Sequence, residues 1–383
     1  MRPQPMPGAE RPAPLVLVAR PGAGGAFGTH AAVAAEGQRL LSADTSRRLG
    51  RLGAATAPLD AVEPDEPGTF HWGRWYAAAA RGALANAGGP VDAIGYVGAG
   101  AMPLLRDDAL DDLLSPVRGE VVANNRFSAD AFVVAGDLDT ALGALESCET
   151  DNAAPRRLNE AGFAWRDLGM AAWARFDVDT TLDLALLRLS TRLDGLRRPD
   201  GTLASFLEMA RLPGDRSLEV PHLAMLGEVV RDRSAELVVA GRVPGATLAF
   251  LETETACRVR AFVEERGMRS AIGGIGPRSL LGAFLERTSP SELIATLASL
   301  GNAVVLDTRV LMAVLAGSSD AARWPPEEER FASDFGDASR IGTRWLRELT
   351  EAAAGASVPV LLGGHALVSD GLRLIVAAAW QGR

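Results

Sequence analysis

Pro14-Leu-Val-Leu-Val-Ala19 runs past Arg20 into Pro21-Gly-Ala-Gly-Gly-Ala-Phe-Gly28, and then into an Ala-rich stretch from about His30 to Leu41. A short apolar run bounded by Pro and Gly reads as a buried strand. Strand, Gly-rich loop and helix together form the first step of a parallel α/β sheet. Gly22, Gly24, Gly25 and Gly28 are spaced much like a G-x-G-x-x-G turn. Such a turn can cradle nucleotide phosphate with its backbone N–H groups, or it can simply reverse the chain tightly.

Working outward, the alternation continues. Residues 57–69 read as a loop, Trp75 to Ala87 as a helix and Asp92 to Val97 as a second buried strand. Glu120 to Ala123 and Ala131 to Ala135 read as strands, with Asn124, Asn125 and Arg126 between them. That polar trio is either a ligand-facing cluster at strand ends or an ordinary turn. Arg156 to Gly162 reads as a helix, Ala171 to Phe176 as strand-like and Leu182 to Leu193 as a helix, with a break at Arg197–Gly201.

The second half restarts the pattern. It carries strands at Glu236–Gly241, Ala303–Asp307, Val358–Leu362 and Leu372–Ala379, with a long amphipathic helix expected from Thr247 to Arg266. Shorter helices are expected at 278–288, 290–300 and 341–354. The fold class expected is α/β: an open, mostly parallel, Rossmann-like sheet flanked by helices, followed by a second α/β domain. The expected division is a flexible tail over 1–13, a first domain over 14–197 and a second over 198–383.

Composition narrows the chemistry. The 383 residues carry 39 basic and 48 acidic side chains, a net charge of −9, which argues against a large nucleic-acid footprint. Every basic residue is Arg, and no Lys occurs. A P-loop lysine, a Schiff-base lysine and a lysine general base are therefore excluded. Any phosphate grip must come from Arg forks, backbone N–H groups or metal. Cys148 and Cys257 form no CxxC pair, so no disulfide framework or thiolate zinc site follows. The proline-rich start reads as a tail rather than a signal peptide, and no apolar run reaches membrane length. A cytoplasmic protein without membrane or nucleic-acid partners is expected, and a homo-oligomer is compatible with it.

Asp177-Val-Asp179-Thr180-Thr181-Leu182-Asp183-Leu184 is the second informative stretch. Extended backbone puts Asp177 and Asp179 on one side of the chain, about 7 Å apart. Two carboxylates so placed can share a Mg²⁺ ion whose shell is completed by nucleotide phosphates. Thr180 and Asp183 are also what a helix start calls for.

This stretch resembles the D-x-D-T-P-x-D-L ending of GT-A-fold nucleotidyltransferases, especially the molybdenum-cofactor and phospholactate guanylyltransferases. Gly100-Ala-Met-Pro-Leu-Leu105 resembles the same family's G-D-x-P-L-L stretch, and the Gly-rich turn falls where its nucleotide loop lies. The resemblance spans residues 14–195. It implies a Mg²⁺-dependent transfer of a nucleoside monophosphate from a nucleoside triphosphate to a small phosphorylated acceptor. Asp177 and Asp179 would hold the ion, with Gly22, Gly24, Gly25 and Gly28 on the nucleotide side; Asn124, Asn125 and Arg126 join them as candidates by their strand-end position. The chain departs from the family at Ala101, where the family carries a metal-binding Asp. A catalytically inactive nucleotide- or sugar-phosphate-binding protein is the alternative that this departure raises.

A third possibility places the chemistry in the second half. Asp307-Thr308-Arg309 and Gly363-Gly364-His365 each end an apolar strand, where open sheets present ligand-facing residues. His365 there is a candidate acid, base or ligand. Arg258, Arg260, Arg266, Arg269 and Arg278 read either as surface ion-pair partners or as an anion-binding set.

Overall fold

Leu15, Leu17 and Ala19 face one way from the first strand and Val16 and Val18 the other, and both sets are buried. A strand covered on both faces must lie inside a sheet with helices on each side. That is what the computed structural model shows. It describes residues 13–22, 26–61, 70–168, 173–199, 201–265 and 276–381.

Six strands, β1 (Leu15–Arg20), β2 (Ala55–Asp60), β3 (Ala93–Val97), β4 (Glu120–Ala123), β5 (Ala131–Ala135) and β6 (Ala164–Asp167), form one sheet in the order β2-β1-β3-β5-β4-β6. All neighbours are parallel except β5, which runs against both β3 and β4. The strand order reverses between β1 and β3, the crevice where open α/β sheets take ligands. One face packs an aromatic core of Trp72, Tyr76, Tyr96 and Phe132, with Trp72 stacked on Tyr76 at 5.0 Å. The other face packs Val16, Val18, Val97, Leu105 and Val133.

The two-residue strands β7 (Arg211–Leu212) and β8 (Arg216–Ser217) pair with each other. A second sheet follows: β9 (Glu236–Gly241), β10 (Arg258–Val263), β11 (Ala303–Asp307) and β12 (Val360–Gly363), all parallel, in the order β10-β9-β11-β12. Its strand order reverses between β9 and β11.

By their contacts the residues fall into two compact units, one of residues 1–22 and 38–175, the other of 23–37 and 176–383. By this grouping the Asp177 segment and its helix fall with the second sheet. The reason is burial. The helix Thr181–Ser190 has nine of its ten residues buried. Leu182 lies against Gly363 at the end of β12, and Leu186 lies against Gly371.

Four expectations are corrected. The stretch 57–69 contains the end of β2, whose single buried residue, Leu59, gave too weak a periodic signal. Residues 173–175 form a turn, with Trp173 at φ 70°, and the edge strand β6 lies upstream. The helix expected from Thr247 to Arg266 ends at Glu254, and Arg258–Val263 is the edge strand β10. There Arg260 pairs with Glu236 at 2.7 Å across the sheet. Alternating Val259, Ala261 and Val263 suit an edge strand better than a helix. Leu372–Gln381 is a helix, not a strand: a buried apolar run has no period of its own, and ten residues is helical length. Among the described residues no helix is long and apolar enough to cross a membrane. Cys148 and Cys257 are both free thiols.

Candidate functional site

Gly28 closes the glycine-rich turn at φ +81°, a left-handed conformation that favours glycine. Gly22 also lies in the described chain, whereas Gly24 and Gly25 lie outside the described residues. The helix His30–Arg51 begins immediately after, with the Thr29 hydroxyl accepting from the Ala32 N–H at 3.1 Å. A helix N-terminus attracts an anion. Here the chain supplies its own: the Glu328 carboxylate accepts the Ala31 N–H at 3.0 Å. Glu328→Ala is expected to destabilise by about 1 kcal/mol in urea denaturation, with Glu328→Gln in between. Equal stability of all three proteins would show the contact to be energetically idle.

The Asn124 amide is fully buried and completely used. Its oxygen accepts the Asp130 and Ala131 N–H groups, and its nitrogen donates to Asp130 and to the Ala174 carbonyl. An amide has two donors and two acceptor positions, so none remains for a ligand. Asn125 accepts the Phe127 N–H, and the exposed Arg126 donates to Asn159 and lies over Phe127. The trio therefore fastens the β4–β5 connection. Ala101 is 4% exposed and puts a methyl where the resemblance implies a carboxylate. Nearby Arg48, also buried, grips the same loop through the Leu105 carbonyl and Asp107.

In the second unit, exposure alternates along Asp177–Asp179. Asp177 is partly exposed, Val178 fully buried and Asp179 exposed, so the two acidic positions share the side that reaches solvent. Thr180 and Asp183 are buried and close a capping box. Asp183 Oδ2 accepts from the Asp179 and Thr180 N–H groups and from the Thr180 hydroxyl. Burial, followed by the Asp179 charge, pushes Asp183 up to about 7. The motif thus divides into two residues spent on the helix start and two that remain outside it. Among the described residues no three His, Cys, Asp or Glu side chains come together as a metal cage. Two carboxylates still suit Mg²⁺, which commonly takes one or two from protein and the rest of its shell from phosphate and water.

A denser constellation stands at the carboxyl ends of β9, β11 and β12. Asp307 is fully buried and binds Arg242 bidentately, at 2.6 and 3.1 Å. Gly241, at φ +132°, allows this approach, because a Cβ there would lie 2.3 Å from that of Asp307. Arg309, 7% exposed, forms a second fork onto the buried Asp334, with Nη2 at 2.7 Å from Oδ2. Burial works to raise Asp307, but the Arg242 charge and hydrogen bonds, helped by His365 and Arg309, hold it below the usual carboxylate range. Burial likewise works against Arg309, and the charges of Asp334, Asp307 and Asp183 hold it above its ordinary value. His365 is half-buried at the start of the helical segment after β12, and its charge acts on Asp307.

Sequence position had singled out Asp307, Arg309 and His365 but not Arg242 or Asp334. Arg242 follows β9 just as His365 follows β12, so the same strand-end rule would have found it. Asp334 ends a helix, where an acid opposes the helix dipole and asks for a partner. Of the five arginines in the suggested anion-binding set, Arg266 and Arg269 lie outside the described residues, and Arg258 and Arg260 sit on β10. Comparison with known protein families, characterised proteins and solved structures finds no match to this chain.

Proposed function

We propose that this protein is a GT-A-type, Mg²⁺-dependent nucleotidyltransferase that moves a nucleoside monophosphate from a nucleoside triphosphate onto a small phosphorylated acceptor. The observation that carries the reading is the division of the Asp177–Asp183 motif. Its buried half builds the helix start, and its solvent-reaching half keeps two carboxylates on one side. The first unit's open, mostly parallel sheet, with its strand order reversed between β1 and β3, supports the fold part of the reading. Asp177 and Asp179 would hold the ion, which supplies positive charge for the triphosphate. An oxygen of the acceptor phosphate attacks the α-phosphorus, the bond from that phosphorus to the α–β bridging oxygen breaks, and pyrophosphate leaves. With no lysine in the chain, arginine side chains and backbone N–H groups balance the remaining charge, so catalysis is positioning and electrostatics.

Thermal shift with GTP, CTP, ATP and UTP, each with and without Mg²⁺, tests this. A nucleotide at 100 times its dissociation constant stabilises by about 2.7 kcal/mol. We expect one base to do so only with Mg²⁺, and Asp177→Asn or Asp179→Asn to abolish the response. Indifference to all four nucleotides would sink the proposal. Pyrophosphate release with a phosphorylated acceptor then separates turnover from binding alone.

The charged constellation at β9, β11 and β12 supports a second reading, an enzyme whose chemistry lies in the C-terminal half. His365 would exchange protons beside the Asp307–Arg242 pair. Loss of activity in His365→Ala with full activity in Asp179→Asn would favour it.

A further inference from the structure

A cavity of about 360 Å³ opens in the second unit between the chain after β8 and the segments Glu327–Asp334, Arg344–Ala354 and β12. Its inner wall is apolar: Phe335, Ala353, Val360 and Leu362 all line it and are all buried. Its outer wall is polar, formed by the exposed Arg216 and the half-buried His222.

The polar groups deeper in the wall are already satisfied. Asp334 is held by Arg309, and the Ser333 hydroxyl shares a 2.8 Å hydrogen bond with that of Thr350. The mouth differs. Arg216 spends Nη2 on the Phe335 carbonyl at 2.6 Å, and a guanidinium has five N–H groups in all. His222 occupies the N-cap of the helix Leu223–Arg231 without capping it, and its ring makes no hydrogen bond or ion pair with any described residue. Its backbone sits at φ 56°, ψ 16°, the left-handed region that costs a residue with a side chain about 1 kcal/mol or more. Burial lowers its pKa, so at neutral pH the ring is uncharged and offers one donor and one acceptor. A strained histidine with no partner among the described residues and a guanidinium with N–H groups to spare thus line the same apolar cavity.

We propose that this cavity binds a small carboxylate with an apolar body. The carboxylate sits at the mouth on the Arg216 guanidinium and the His222 N–H, and the hydrocarbon lies inward against Val360, Leu362 and Ala353. The charges fix this orientation. A cation at the mouth meets Arg216, and an anion deeper in meets the Asp334 carboxylate. The volume falls within the range of small-ligand sites.

Isothermal titration of the full chain at pH 7.5 with hexanoate, hexan-1-ol and hexylamine tests the proposal. Hexanoate is expected to bind one per chain, the alcohol more weakly and the amine undetectably. Arg216→Gln keeps a donor for the Phe335 carbonyl and is expected to weaken hexanoate about tenfold or more. His222→Gly is expected to weaken it severalfold while raising Tm, because glycine adopts the left-handed conformation without strain. A purely structural histidine would not separate binding from stability in this way. Absence of hexanoate binding, equal affinity for hexylamine, or unchanged affinity in both variants would overturn the proposal.

Discussion

Arg309→Met will lower the free energy of unfolding by about 3–5 kcal/mol, the largest single-site effect expected outside the apolar cores. Arg309 is 7% exposed and Asp334 2%. Removing the cation leaves that buried carboxylate without its two-pronged partner. Methionine matches the aliphatic stem, so the loss isolates charge and hydrogen bonding rather than volume. Burial will then push Asp334 upward, and the variant will sit protonated over more of the pH range. Its deficit against wild type should accordingly be larger at pH 8 than at pH 5. The double variant Arg309→Met/Asp334→Leu should recover most of the loss, because an apolar pair replaces an ion pair at little net cost. Urea denaturation of the four proteins in this cycle gives the coupling directly. A single-variant loss below about 1 kcal/mol would mean that water reaches the pair.

The fork that makes this effect large was only half legible in the sequence. Arg309 follows an apolar strand, and strand ends are readable because a buried run of five residues has few alternatives. The strands Glu120–Ala123, Ala131–Ala135 and Ala303–Asp307 were legible to the residue for that reason. Asp334 is 25 positions further along the chain, and only the return of a helix over β12 brings it to Arg309. Local pattern carries no information about such a meeting. The same limit explains the Asp177 segment. Its capping box is local chemistry and was readable, whereas the distant helical segments that bury nine residues of its helix were not. Asn124 shows the converse: a polar residue between two strands suggests a ligand, but its four hydrogen bonds all close within the chain. The misread β2 and Leu372–Gln381 are elements whose apolar residues lack a clear period, whereas β10 has an alternation that was passed over in favour of one long helix.

His30→Gln and Asp183→Asn should tilt the pH dependence of stability in opposite directions, and each tilt follows from burial. The His30 ring is completely buried, lies 5.6 Å from the Phe335 ring, and has no hydrogen-bond partner on either nitrogen among the described residues. Burial lowers its pKa from 6.5 to about 4; Asp337 opposes this, and Arg340 and Arg216 add to it. The Glu328 carboxylate faces the same helix start through the Ala31 N–H. Between pH 4 and 6.5 the folded histidine is neutral while the unfolded one binds a proton. Stability from this residue is therefore full above 6.5 and lost as pH falls. Asp183 behaves inversely: its folded pKa of about 7 lies above the unfolded 3.8. The folded carboxyl keeps its proton while the unfolded one releases it, so this contribution is lost as pH rises from about 4 to 7. In the wild type the two slopes, each about 1.4 kcal/mol per pH unit, cancel over the shared window. Removing His30 should leave stability falling with pH relative to wild type, and removing Asp183 should leave it rising. Urea denaturation at pH 4.5, 5.5 and 6.5 measures both differences. Slopes of the same sign in the two variants would mean that at least one of these groups is charged inside the fold.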